Sequence, residues 1–297
     1  MTYPATVRIR EVGPRDGIQS EKADVATEDK IKLIDALSET GLRHIEAISI
    51  VSPKAIPQMA DARAVWSGVE KRDGVFFSAL VPNRKGAEIA AELGVDGIQV
   101  FLAASDGYNV RNVGKSTDDS FADVEAVMKV ASAAGIPVEG TISSAFGDAY
   151  EGDVSPARVV EVSVRMHELG IEAISYGDTT GMGTPERVAQ VIEAVRSDLP
   201  HLDINMHFHD PGGVGLKNVV AALELGVDYF DASIGGMGGS PFAEGATGNI
   251  ATEDLVDMVE NMGIDTGIDL EKLLAAGRVA QSFITGELPS KLLKARA

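Results

Sequence analysis

The chain has 297 residues, 44% of them hydrophobic and 24% charged, and 45 acidic against 26 basic side chains give a net charge of −19. So acidic a balance argues against nucleic acid or an anionic membrane surface as a partner. With no cysteine, a disulfide framework, a thiolate-held zinc and a thiol nucleophile are all excluded. No run of about 18 apolar residues is available to span a bilayer. Strand-like sequence begins within about seven residues of Met1, which leaves no room for a targeting peptide. The expectation is a soluble, cytoplasmic protein.

Taken in chain order, β-rich runs fall at Val7–Val12, His44–Ile48, Val75–Val81, Gly97–Leu102, Val138–Ile142, Ala173–Tyr176, Ile204–Phe208 and Tyr229–Ile234. Between them lie helix-like stretches at Thr27–Thr40, Lys85–Leu93, Asp119–Ala134, Ser155–Leu169, Thr184–Leu199 and Gly215–Leu225. Several stop at a glycine (Gly41, Gly94, Gly135, Gly170, Gly226), the residue that takes the left-handed C-terminal position without strain. Eight strands alternating with helices predict a parallel (β/α)8 TIM barrel, with an open doubly wound sheet as runner-up. The open sheet is disfavoured because no G-x-G-x-x-G follows the first strand. One catalytic domain is expected over 1–297, the barrel at about 5–250 and C-terminal helices at about 251–297.

A barrel places chemistry at the carboxyl ends of its strands. There the sequence offers Glu11, Arg15 and Asp16 after the first strand, Glu46 on the second, Asn83 after the third and Ser143 after the fifth. Asp178 and Thr179 end the sixth, and Gly248-Asn249 follows the eighth. Each residue alone suits a turn or a cap; together they recur at one end of most strands. The seventh strand carries His207-Phe208-His209. Residues i and i+2 share a strand face, so both imidazoles can converge on one cation. With Asp16 and Asn249 the donor set is nitrogen and oxygen without sulfur, which favours octahedral Mg²⁺ or Mn²⁺ over a closed zinc site. His44, His167 and His201 lie off this pattern and are read as structural.

Glu11-Val12-Gly13-Pro14-Arg15-Asp16-Gly17-Ile18-Gln19, His207-Phe208-His209-Asp210 and the loop Gly238 to Asn249 resemble the hydroxymethylglutaryl-CoA lyases, within the metal-dependent superfamily of lyase and synthase barrels. The resemblance covers nearly the whole chain. It implies cleavage of 3-hydroxy-3-methylglutaryl-CoA to acetyl-CoA and acetoacetate, as in leucine degradation and ketone-body metabolism. It also implies Asp16, His207, His209 and Asn249 as metal ligands. Arg15, Asp16, Glu46 and Glu11 would be catalytic, with Glu11 ranked lower because it could instead clamp Arg15. Gln19, Asn83, Ser143, Asp178, Thr179 and Lys22 would bind substrate, with Lys22 or Lys54 near the CoA phosphates. A homodimer is the expected assembly.

One departure stands out. The family carries a proton-transferring cysteine where this chain has Ser240, and a hydroxyl is a far weaker acid than a thiol. Asp210-Pro211-Gly212-Gly213 and Tyr176 also depart from the pattern and are read as pocket residues. Three readings stay open: this lyase, a lyase for a related 3-hydroxy-3-alkylglutaryl-CoA or other 3-hydroxy acyl-CoA, and a catalytically silent barrel that binds metal and acyl-CoA.

Overall fold

The computed structural model describes residues 3–21, 24–239 and 248–296. Eight strands run in sequence order: β1 Arg8–Glu11, β2 His44–Ser49, β3 Phe76–Leu80, β4 Gly97–Ala103, β5 Val138–Ser143, β6 Ala173–Asp178, β7 Asp203–Phe208 and β8 Tyr229–Ala232. Every neighbouring pair is parallel, and β1 pairs with β8, Arg8 opposite Tyr229 and Glu11 opposite Ala232, so the sheet closes as a (β/α)8 barrel. The expected fold is the observed one.

The helices form for the anticipated reasons. Helix Arg84–Leu93 starts where Asn83 accepts the Gly86 amide, and it stops at Gly94 in the left-handed conformation. Helix Thr117–Ala134 is bounded in the same way by Ser116 and Gly135. Two helices escape a periodicity reading. Ala62–Gly68 is short, and Asp106–Val113 is a polar segment set by its caps, Ser105 and Gly114. The chain beyond β8 continues as helices Thr252–Asn261, Leu270–Gln281 and Lys291–Ala295, and Leu270–Gln281 packs against the first helix, Thr27–Ser38. Among the described residues no helix is long and apolar enough to cross a membrane.

Alternation along the strands divides two environments. Residues such as Ile45, Phe77, Ile98, Ile174 and Met206 belong to the apolar core. Several of their alternates, His44, Ser78, Gln99, Ser175 and Asn205 among them, are polar and hydrogen-bonded to one another or to residues of other strands. Arg10 on β1 reaches Glu139 on β5, half-way round the barrel, at 2.6 Å. His44 on β2 bonds Tyr229 on β8 at 2.7 Å and Ser78 on β3 at 2.9 Å. Burial pushes the His44 imidazole down to about 3, so it is neutral and structural, as expected. Barrel interiors are ordinarily filled by branched apolar side chains; this one is wired with hydrogen bonds.

Candidate active site

Three short backbone devices gather the site at the carboxyl rim. After β1, Gly13–Gly17 makes a single π-turn with Pro14 in its first positions, which puts Arg15 and Asp16 side by side. Wide turns of this kind are frequent at functional sites. The period of two in β7 puts His207 and His209 on one face, ring centroids 5.4 Å apart. Residues 248–250 then return antiparallel onto the end of β7: His209 and Asn249 form a bridge, and the Asp210 and Ile250 amides bond the carbonyls of Gly248 and Phe208. That return brings Asn249 to the site.

Asp16, His207 and His209 each offer one ligand atom, and these atoms lie within 4.8 Å of one another. Asn249 donates from Nδ2 to Asp16 at 2.8 Å and to the Met237 carbonyl at 2.9 Å. Among the described residues its buried Oδ1 has no partner, and neither has the buried Nδ1 of His209. A bare carbonyl oxygen and a bare imidazole nitrogen beside a carboxylate are poorly satisfied alone, and they fit a divalent cation. Burial acts to raise the Asp16 carboxyl, but the charges of Arg15 and His207 outweigh it and hold it below the usual carboxylate range. Burial, helped by His207, pushes His209 down to about 4, leaving a neutral ring suited to a ligand.

Arg15 is gripped on both sides, by Asp16 at 2.6 Å and by the buried Glu46 at 2.7 Å. Its buried Nε–H has no partner among the described residues. The clamp on Arg15 is therefore Glu46, and the clamp considered for Glu11 is not made. Glu11 accepts instead from the Gly13 and Ile234 amides at 2.7 and 2.8 Å and from the Thr252 hydroxyl at 2.6 Å. It staples the turn carrying Arg15 and Asp16 to the chain on both sides of Asn249.

One cleft of about 480 Å³ opens over these groups. Arg15, Asp16, Gln19, Asn83, Ser143, Thr179, His207 and His209 all line it. Glu11, Glu46 and Asp178 do not. Asp178 is buried, its Oδ1 accepts the Gly183 amide at 2.8 Å, and burial lifts its carboxyl to about 6. Its visible role is to shape the loop after β6. Tyr176 is also away from the cleft, because its hydroxyl bonds Ser163 on the outer helix Pro156–Glu168 at 2.9 Å; the pocket role expected for it is corrected. Lys22 and Ser240 lie outside the described residues, and Lys54 is exposed.

Sequence reasoning missed Asp231. This carboxylate lines the cleft and lies 3.1 Å from Nδ1 of His207. The only local signal was its place two residues after Tyr229 on β8, an acidic residue at an inward position of an otherwise apolar strand.

A (β/α)8 barrel with nitrogen and oxygen donors converging at its carboxyl rim, beside a partly buried arginine, has the form of an enzyme that can hold a divalent metal ion. The family profile described as HMGL-like matches residues 6–280, and the chain belongs to this family of lyases. The hydroxymethylglutaryl-CoA lyase, mitochondrial, of Macaca fascicularis is 46% identical over 294 residues, which cover 99% of this chain and 90% of that protein. The crystal structure of the Bacillus subtilis HMG-CoA lyase superposes with a TM-score of 0.96 at 44% identity, covering 100% of this chain and 99% of that one. An HMG-CoA lyase from Acinetobacter baumannii, solved with coenzyme A and 3-methylmalate, superposes with a TM-score of 0.94 at 39% identity, covering 99% and 96%.

Proposed function

We propose that this enzyme cleaves 3-hydroxy-3-methylglutaryl-CoA to acetyl-CoA and acetoacetate. The observation that carries the reading is the triangle of Asp16, His207 and His209, with Asn249 against it and Arg15 beside it. The relatives' names and the coenzyme A held by one of them support an acyl-CoA ester as substrate.

A divalent cation, Mg²⁺ or Mn²⁺, held by Asp16, His207, His209 and Asn249 would supply Lewis acidity to the C3 hydroxyl and so ease loss of its proton. Asp16, ionised at neutral pH, accepts that proton. The oxygen's electron pair then forms the ketone of acetoacetate, the C2–C3 bond breaks, and its electrons move into the thioester enolate of acetyl-CoA. Arg15, fixed by Glu46 and Asp16 and lining the cleft, offers its guanidinium to the enolate oxygen, an interaction that strengthens as charge develops. Ser240, at the position of the family's proton-transferring cysteine, would return a proton to C2 and be reprotonated from solvent, while Asp16 releases its proton to solvent. Serine is a weaker proton donor than a thiol of pKa about 8.5, and this departure supports a second reading, a lyase for a related 3-hydroxy-3-alkylglutaryl-CoA or other 3-hydroxy acyl-CoA. The proposal extends to a single catalytic domain acting as a cytoplasmic homodimer, for which light scattering in solution tests the assembly.

The test is acetoacetate release from hydroxymethylglutaryl-CoA by Mg²⁺- or Mn²⁺-loaded protein. Release that depends on the metal and vanishes in His207→Ala is the expected result. No turnover in wild type or in Ser240→Cys would sink this substrate, and assays would move to other 3-hydroxy acyl-CoA esters.

A further inference from the structure

Arg10 is an unexpected residue to find inside a barrel. It is 1% exposed and belongs to no part of the site described so far. Its guanidinium forks onto Asp231, Nε to Oδ1 at 2.7 Å and Nη2 to Oδ2 at 2.8 Å, and its third nitrogen reaches across the barrel to Glu139 at 2.6 Å. Asp231 also accepts from Asn205 Nδ2 at 2.7 Å and from the Ser175 hydroxyl at 3.1 Å. Nδ1 of His207 occupies its remaining contact at 3.1 Å.

Three charges in a barrel interior are a poor device for stability alone, since well-packed apolar side chains of similar volume often do as well or better. What the arrangement does provide is direction. A carboxylate can only accept hydrogen bonds. Held in place by the two-pronged arginine, Asp231 obliges the His207 ring to present a proton on Nδ1, leaving the lone pair of Nε2 for the cluster with Asp16 and His209. Histidine ligands are commonly fixed this way by the partner of their second nitrogen.

We propose that Arg10 and Asp231 are positioning residues that set the tautomer and orientation of His207 for the metal ion. Asp231 touches His207 directly, and Arg10 acts through Asp231. This inference rests on the metal reading of the site, but its first test does not need the metal.

The metal-free wild-type protein is labelled with ¹⁵N and its imidazole resonances are recorded at about pH 9, His207 being assigned by its absence in His207→Gln. The proton is expected on Nδ1, with Nε2 bare. A bare Nδ1 overturns the proposal. Mn²⁺ titrations of folded Asp231→Asn and Arg10→Lys follow, the fold being checked by circular dichroism. Asp231→Asn is expected to bind Mn²⁺ about 10–100-fold more weakly, and Arg10→Lys, which keeps the charge but loses the fork, to fall between it and wild type. Wild-type affinity in folded Asp231→Asn overturns the proposal. If either variant fails to fold, the wild-type tautomer decides. If wild type itself binds no Mn²⁺, the metal reading fails while the tautomer still tests this one.

Discussion

Arg15 commits two of its nitrogens to Asp16 and Glu46 and lines the cleft in that fixed orientation. Removing a preorganised donor of this kind costs on the order of 10²–10³ in kcat. Arg15→Gln should show a loss of that size with a comparatively small change in KM, measured as acetoacetate release; a rise in KM alone would mean that Arg15 only binds substrate. Ser240→Cys should turn over faster than wild type where protonation limits the rate, and an unchanged rate would place the slow step elsewhere. Glu11 carries a prediction of a different sort. Burial lifts its carboxyl to about 7 from an ordinary 4.5. Between those values the folded chain holds a proton that the unfolded chain has released. Stability is therefore lost as pH rises through that window, at no more than about 1.4 kcal/mol per pH unit for one group. Glu11→Gln can still accept from the two amides and can donate to the Thr252 hydroxyl, so it should fold and flatten this slope. Urea unfolding at about pH 5 and about pH 7.5 measures the difference, and identical slopes would refute it. At this scale the sequence disclosed the histidine pair, because a period of two announces that His207 and His209 share a face. It did not disclose Asp231, which meets His207 across 24 positions, or the Ile234 and Thr252 partners of Glu11, which lie more than 200 positions away, since pairings between separate strands and loops leave no local pattern.

The elements were legible where caps and periodicity agree. Arg84–Leu93 and Thr117–Ala134 carry an Asn or Ser at one end and a glycine at the other. Asp106–Val113 was not legible, because its polar residues give no apolar stripe and only its caps define it. The return segment at 248–250 is an element too small for any periodicity, yet it delivers Asn249. A Cβ on Gly248 would overlap the Gly236 carbonyl oxygen, and backbone against backbone has little room to yield. Gly248→Ala should therefore shift Asn249 and weaken Mn²⁺ binding by about tenfold or more, in the range seen when a ligand's support is lost. Calorimetric titration of the folded variant tests this, and undiminished affinity would mean that the segment adapts.

For the molecule as a whole, the barrel was readable because eight alternations admit few topologies, whereas the polar wiring of its interior was not. Metal binding should be felt globally. At a free Mn²⁺ concentration about 100 times its Kd, a cation bound only by the folded state adds about 2.7 kcal/mol. For a chain of 297 residues that corresponds to a rise in Tm of roughly 4 °C. EDTA should abolish the rise and His207→Ala should never show it; an equal rise in that variant would locate the ion elsewhere.

Asp16 and Asn249, joined by a hydrogen bond, stand 233 positions apart in the chain. At about 5–20 residues per second of synthesis, on the order of 10–50 s separate the making of the first proposed ligand from that of the last. A ribosome-bound chain that ends short of Asn249 has no complete set of donors, however much of its barrel has already formed. The cation therefore cannot serve as a template for the early chain. Its capture would mark the moment at which the newborn protein has been finished and has closed upon itself.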